Sequence, residues 1–367
     1  MRLAFYAPLK PPNHAVPSGD RRMARAFMAL LRDLGHEVEL ASTFRSFDRT
    51  GDPVRQRRLE RLGGRLAARY LRRHARRPPE LWFTYHLHHK APDWLGPVVS
   101  RALAIPYVVA EASLAAKQAR GPWASGYVAS RAAIAAADLV LAMTQNDLPG
   151  LRTAVQDERL RLFPPFLDAA PFRAPPRDPC QAVPTLLAVA MMRADVKAES
   201  YRLLAVALQE VADLPWRLVL VGDGEARRQV EAMFAPLGKR VTLTGAVPPA
   251  QLPAIYAAAD LYVWPACNEA YGMAPLEAQG AGLPVVAGRE GGVADVVADG
   301  RTGLLVEPRS PAALAAAVRE LLLDPERRCA LGRAAQARVL ERHDLAPAQA
   351  CLAAALAAIR MPVCGSA

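Results

Sequence analysis

At 367 residues the chain is about twice the length of a common single domain, so two domains are expected. Hydrophobic residues make up 52% and charged residues 22%, too apolar a mixture for a disordered chain. The net charge of +11 is lopsided, because residues 1–180 hold 28 Lys+Arg against 16 Asp+Glu and residues 181–367 hold 18 against 19. Such an imbalance suits an acidic membrane surface or a nucleic acid. No apolar run approaches the roughly 20 residues that span a bilayer. Pro8, Pro11 and Pro12 break the opening apolar stretch, so no signal peptide is expected. Cys180, Cys267, Cys329, Cys351 and Cys364 are odd in number and contain no C-x-x-C, which argues against a disulfide scaffold or zinc cage. Reduced thiols in a cytoplasm are the expectation.

In chain order, a strand is expected over 2–7, then a polar loop containing Ser18-Gly19-Asp20, then a helix to about Leu34. Gly35 fits its C-terminal cap, and a strand returns at 37–41. Strands follow at 81–85, 106–110 and 138–143, with helical patterns between them. The second half repeats the plan, with strands at 185–191, 216–221, 240–244, 261–264, 284–287 and 303–306. These runs are short and apolar on both faces, as in parallel sheets covered on both sides. Strands alternating with helices imply a doubly wound α/β architecture. Residues 164–184 hold seven prolines and read as a linker, because proline denies a helix interior or central strand its backbone donor. The expected division is an N-terminal Rossmann-like domain over 1–165, a linker over 166–184 and a second Rossmann-like domain over 185–345. A C-terminal helix over 346–367 is expected to pack back on the first domain. Two such domains would face each other across a ligand cleft.

The segment NEAYGMAPLEAQGAG, from residue 268, carries the most specific chemistry. Glu269 lies in a loop after an apolar strand, and Pro275 sits where a helix could begin, a position proline tolerates well. Free amides at Gly272, Met273 and Ala274 would hold an anion such as a phosphate. Glu277 falls one turn into that helix, which leaves a carboxylate on either side of the anion. Carboxylates accept paired hydrogen bonds from hydroxyls, so the set suits a sugar phosphate. Taken alone, E-x7-E could equally be a helix with two solvated glutamates.

Its context resembles the retaining glycosyltransferases of family 4, which have the GT-B fold and this E-x7-E signature. The likeness covers most of 185–340 and includes VGDGE at 221–225 and TGAVPPAQLPAIYAAADLYVWPA at 244–266. The resemblance implies that Glu269 contacts the donor sugar and Glu277 the nucleotide ribose. It implies that Gly272 to Ala274 meet the diphosphate and that Gly245 and Val247 lie by the base. Arg193 and Lys197 in MMRADVKAE would neutralise the leaving diphosphate, although their spacing is one residue shorter than the family form. Gly19 matches the glycine of the first-strand loop that approaches the diphosphate. Many members carry a His after the fourth strand, where this chain has Glu111. Either Glu111 takes over part of that role or the acceptor side works differently.

His86, His88 and His89 cluster in TYHLHHKAPD. They are read as acceptor contacts, with packing or metal ligation as the alternatives. No metal is called for. D-x-D is absent, which argues against a metal-dependent transferase, and no G-x-G-x-x-G follows a strand, which argues against NAD. Residues 55–77 hold ten arginines, among them Arg69, Arg72, Arg73 and Arg76, and one acid, Glu60. Leu59, Leu62, Leu66 and Tyr70 form a stripe at helical spacing. The readings are a cationic surface helix on anionic lipid, a solvated helix with one face on its own domain, or a nucleic-acid contact. The last lacks aromatic interleaving, and no nucleic acid is expected.

The expectation is a retaining, metal-independent hexosyltransferase that needs no cofactor and uses a nucleoside-diphosphate sugar as donor. The acceptor would be a glycan or lipid-linked saccharide in cell-envelope polysaccharide synthesis, and the enzyme would be cytoplasmic and peripheral on the inner membrane surface. The alternatives are a non-catalytic sugar-nucleotide-binding partner protein and a sugar-nucleotide epimerase or phosphorylase.

Overall fold

The computed structural model describes residues 1–16, 18–174 and 183–359. Cys180, Cys364 and residues 175–182 of the proline-rich stretch lie outside them. The chain forms two compact units, one from Met1–Pro164 together with the chain from Ala348, the other from Pro165–Pro347.

The first unit is built on six parallel strands, β1 (Arg2–Tyr6), β2 (Glu37–Ser42), β3 (Leu81–Leu87), β4 (Tyr107–Ala112), β5 (Leu139–Ala142) and β6 (Leu160–Leu162). Their order is β2-β1-β3-β4-β5-β6. Alternation along β1 and β3 divides the aromatic core between two faces. Phe5 stacks on Phe83 at 5.7 Å, and Phe83 meets Phe27 of helix Gly19–Asp33 at 5.6 Å. On the other face, Trp82 meets Tyr6 at 6.2 Å and Tyr70 of helix Pro53–Arg73 at 5.3 Å. Each such fully buried ring contributes roughly 1.5–3 kcal/mol. Beneath them Asp93 is buried, and it accepts from Thr84 Oγ1 (2.6 Å), Tyr107 OH (2.9 Å) and the amides of Leu95 and Gly96 (both 2.8 Å). β6 went unread in the sequence because it is a three-residue edge strand with only Leu160 buried, too short to show a pattern.

Helix Gly19–Asp33 starts on Ser18, whose hydroxyl accepts from the Arg21 amide at 3.2 Å, and it closes before Gly35 at φ +82°. Helix Pro53–Arg73 starts on Asp52, with Pro53 in its first turn. Of its stripe, Tyr70 is buried and Leu66 packs against the same core beside the buried Ala67, while Leu59 and Leu62 are half-buried. All ten arginines of 55–77 are exposed. Among the described residues, ion pairs tie only Arg55 to Asp48 (3.7 Å) and Arg77 to Glu37 (3.2 Å).

The second unit has six parallel strands, β7 (Thr185–Val189), β8 (Arg217–Val221), β9 (Val241–Gly245), β10 (Leu261–Trp264), β11 (Val285–Gly288) and β12 (Gly303–Val306). Their order is β12-β11-β10-β7-β8-β9. All six stand where the apolar runs placed them. The described part of the proline-rich stretch is anchored by apolar side chains, with Phe166, Leu167 and Phe172 buried and Asp168, Ala170, Pro171 and Arg173 exposed. The Leu167 amide donates to His343 O (2.9 Å), and the Ala169 amide donates to Asp344 Oδ1 (3.1 Å). Among the described residues, no helix is long and apolar enough to cross a membrane.

Candidate functional site

In a doubly wound sheet, the strands on either side of the point where winding reverses leave an opening at their carboxyl ends. In the second unit that point lies between β7 and β10, since the chain proceeds from β7 through β8 to β9 on one side and begins again at β10 on the other. Lys197 follows β7 and Glu269 follows β10, and across the reversal the Lys197 ammonium hydrogen-bonds to Glu269 Oε2. Both side chains are about four-fifths buried, at 21% and 20% exposure. The Lys197 Nζ also lies 5.5 Å from the centroid of the Trp264 ring, whose face favours a cation. The short spacing noted for Arg193 and Lys197 therefore does not keep Lys197 from the Glu269 loop.

Two loops hold this pair. The residues after β7 are pinned by the turn after β8, where the Met192 amide donates to Asp223 O and the Ala226 amide to Met192 O, both at 2.9 Å. Gly224 permits that approach, because a Cβ there would stand 2.3 Å from Met192 O. The loop after β10 is backed by Gly291, where a Cβ would meet Glu269 O at 1.8 Å, and the Gly292 amide donates to Ala270 O. Within that loop Ala266 (φ +60°) and Asn268 (φ +51°) adopt left-handed conformations, which cost a non-glycine residue roughly 1–3 kcal/mol and concentrate at ligand sites.

Helix Met273–Gly280 then begins one residue after Gly272, which occupies its N-cap at φ +82°. The helix starts two residues earlier than the sequence suggested. Pro275 is its third residue and still loses no intrahelical bond, because the first four amides of a helix have no acceptor within it. No side chain caps the start, so the Met273 and Ala274 amides point out of the first turn. Glu277 is buried at 3% exposure and accepts from Tyr256 OH at 2.8 Å. Arg193 is half-buried with Nη2 3.4 Å from Met191 Sδ, and among the described residues no carboxylate pairs with it. Gly245 ends β9 at φ +75°, its carbonyl accepts from the Gly222 amide at 3.0 Å, and Val247 beyond it is half-buried.

The first unit repeats the device. Its winding reverses between β1 and β3, and the residues that meet there are Asp20, which follows β1, and His86, near the end of β3. His86 Nδ1 lies 3.1 Å from Asp20 Oδ1 and 3.6 Å from Glu111 Oε1 on β4. Burial opposes charge on His86, but Glu111, Asp20 and Asp147 outweigh it and push its pKa up to about 9. Burial likewise opposes charge on Asp20, yet the His86 contact and Lys10 bring its pKa down to about 2. His88 is pushed well below the usual range by burial and by its neighbours His86 and His89, and His89 is lowered by burial, Lys90 and Lys117. His86 (φ +60°) and Glu111 (φ +55°) are both left-handed. The His86 and His88 rings are 5.2 Å apart, and His89 stands edge-on to Trp123 at 5.9 Å. Among the described residues, no group of three or more His, Cys, Asp or Glu is arranged to hold a metal ion.

Gly19 opens helix Gly19–Asp33 with no atom within 4 Å of where its Cβ would stand, so nothing in the unit itself demands glycine there. Arg69, Arg72, Arg73 and Arg76 lie exposed on or just beyond helix Pro53–Arg73, away from both strand-end clusters in sequence. Asp20 was not singled out as a site residue in the sequence. Its signal was its place beside Gly19 in the loop after the first strand, where ligand-binding groups of this architecture gather.

Residues 183–324 match the family model described as "Glycosyl transferases group 1". A D-inositol 3-phosphate glycosyltransferase of Acidothermus cellulolyticus is 32% identical over 307 residues, covering 76% of this chain and 68% of that protein. A GDP-mannose-dependent alpha-(1-6)-phosphatidylinositol monomannoside mannosyltransferase of Mycolicibacterium smegmatis is 38% identical over a shorter 124 residues, 31% of this chain and 32% of that protein. Among solved structures, sucrose-phosphate synthase of Thermosynechococcus elongatus superposes with a TM-score of 0.75 at 23% identity, covering 97% of this chain and 98% of that one. Anabaena Alr3699/HepE, solved with UDP and glucose, superposes at 0.69 with 18% identity, covering 96% and 99%. The two Rossmann-like units are thus those of the GT-B fold, and the chain belongs to the group 1 glycosyl transferases.

Proposed function

We propose that this glycosyltransferase moves a hexosyl unit from a nucleoside-diphosphate sugar to an acceptor hydroxyl, with retention of configuration and without a metal ion. The observation that carries the reading is the Lys197–Glu269 pair beside the uncapped start of helix Met273–Gly280. A diphosphate at that start would meet the Met273 and Ala274 amides, with Arg193 and Lys197 supplying charge where the leaving group gains it. Glu269 would take the donor sugar hydroxyls, and Glu277 a ribose hydroxyl. From the end of β10 to Gly245 on β9 is three strand spacings, about 14 Å, which suits an extended nucleotide with its base by Gly245 and Val247. The relative named for GDP-mannose and the structure holding UDP and glucose support a nucleotide-sugar donor. In this reading Gly19 is a donor contact, Glu111 takes part in catalysis, and His86, His88 and His89 are acceptor contacts.

The acceptor in this reading is a glycan or lipid-linked saccharide of the cell envelope, reached from the cytoplasmic face of the membrane. Its support is the face of ten exposed arginines over 55–77. Because Leu66 and Tyr70 pack on the protein's own core and Leu59 and Leu62 are half-buried, docking would be electrostatic rather than by insertion, worth about 1 kcal/mol per Arg near an anionic leaflet.

The test separates the two carboxylates. Glu269→Gln is expected to lower turnover by orders of magnitude while the nucleoside diphosphate still binds. Glu277→Ala is expected to weaken nucleotide binding itself, because a buried charged acceptor is lost. Equal, mild effects would overturn the assignment, and conversion of the donor sugar to its epimer without an acceptor would point to an epimerase.

A further inference from the structure

The strand-end cluster of the first unit contains one group that nothing above assigns. We propose that Asp20 is a positioning residue that, together with Glu111, holds His86 as an imidazolium whose Nε2–H donates to a hydroxyl oxygen of the acceptor sugar. The proposal rests on the glycosyltransferase reading and adds to it a residue, a protonation state and a direction of hydrogen bonding.

The geometry selects the nitrogen. His86 Nδ1 faces Asp20 Oδ1 at 3.1 Å and Glu111 Oε1 at 3.6 Å, so the carboxylates occupy one side of the ring and Nε2 is left for a ligand. The contact is an ion pair and not a formed hydrogen bond: His86 Nδ1 lies within ion-pair distance of both carboxylates while making no hydrogen bond among the described residues. Three separate elements converge to build it: the start of helix Gly19–Asp33, β3 and β4. Two of the three residues sit in left-handed backbone conformations, which direct their side chains away from the regular pleat. The cluster also lies at the winding reversal of its sheet, the position that Lys197 and Glu269 occupy in the second unit.

The charge decides between a base and a donor. The groups that face His86 are Asp20, Glu111, Asp147 on the turn after β5, and His88, with Lys10 and Arg45 acting on Asp20. Burial disfavours the charge, the three carboxylates prevail, and the pKa rises to about 9. At pH 7 only about 1% of His86 is then neutral, too little for a general base. As an imidazolium it donates from both nitrogens. With the carboxylates on the Nδ1 side, Nε2–H is the donor left to meet a sugar hydroxyl. Asp20, Glu111 and Asp147 balance His86, Lys10 and Arg45, so the cluster carries no net positive charge to attract a phosphate.

The sign follows from the raised pKa. The donor is present at neutral pH and is lost as pH rises through about 9. Removing either carboxylate lowers that limit, by about 1–3 pH units for a neighbouring opposite charge. The experiment follows the His86 ring resonance by NMR, assigned by its absence in His86→Asn, in the full chain of the wild type, Asp20→Asn and Glu111→Gln. The pH profile of kcat for glycosyl transfer is measured in parallel, and melting temperatures confirm that the isosteric variants fold. The expected result is titration near pH 9 in the wild type and a downward move in both variants, with the alkaline limb of kcat moving by the same amount. An unmoved resonance overturns the proposal, and so does a limb that stays in place while the resonance moves. If the wild type transfers no sugar at any pH, the enzyme reading fails and takes the role of the cluster with it. Normal transfer with an unmoved limb removes the Asp20–His86 proposal alone.

Discussion

Replacing Lys197 by Met keeps the length and the apolar stem of the side chain and removes only its charge. That charge sits against Glu269 Oε2 and over Trp264, with both members of the pair about 20% exposed. Two costs follow, and they separate. Losing the partner of a largely buried carboxylate is expected to cost about 1–3 kcal/mol of stability, less than the 3–5 of a fully buried pair because water still reaches Glu269. The second cost falls on the transition state, where negative charge moves onto the departing diphosphate. Removing one fixed donor from such a site typically lowers kcat about 10²–10³-fold. The assay is steady-state transfer with a saturating donor, together with the affinity for the nucleoside diphosphate and the urea midpoint of unfolding. The charge-swapped double variant Lys197→Glu/Glu269→Lys is expected to recover stability but not turnover, because the cation then stands on the wrong loop. If Lys197→Met loses stability while keeping kcat within about threefold, the pair is a structural clamp and the argument for a charged leaving-group site fails.

Transfer is expected to survive a chelator, since helix amides, Arg193 and Lys197 are assigned to the diphosphate; complete loss reversed by Mg²⁺ or Mn²⁺ would refute this. Vesicles containing anionic lipid are expected to float the protein at low salt and release it as salt is raised. Changing Arg69, Arg72, Arg73 and Arg76 to Gln should abolish flotation, and equal flotation of neutral vesicles would count against an electrostatic face. Asp93→Ala leaves Thr84, Tyr107 and two amides without their buried acceptor, and is expected to cost about 3–5 kcal/mol in urea unfolding. A cost below about 1 kcal/mol would mean that water replaces the carboxylate.

The fold was legible because parallel strands covered on both faces leave uninterrupted apolar runs, as at Leu261–Trp264, and because Gly35 and Ser18 mark the ends of the first helix. β6 was not legible, since three residues with one buried carry no period. The leucine stripe over 59–70 was visible, but periodicity reports a face and not what covers it. Only the packing of Ala67 and Tyr70 on the first unit's core assigns that face. Pro275 misplaced the helix start because proline fits any of the first turn's orphan amide positions. In the candidate site, the E-x7-E segment stood out by its resemblance to a family signature, whereas the Lys197–Glu269 contact joins residues 72 positions apart and depends on strand order. Asp20 lies 66 positions from His86 and was hidden for the same reason, because the β1–β3 reversal that brings them together is a property of the sheet.

The central claim, retaining glycosyl transfer from a nucleotide sugar, is tested most directly by the anomeric configuration of the product. The protein is incubated with an α-linked nucleoside-diphosphate hexose and a saccharide acceptor, and the new anomeric proton is read by NMR. The account requires a product whose new linkage is α and whose formation stops in Glu269→Gln. A β-linked product, or a change in the donor sugar with no acceptor present, would contradict it.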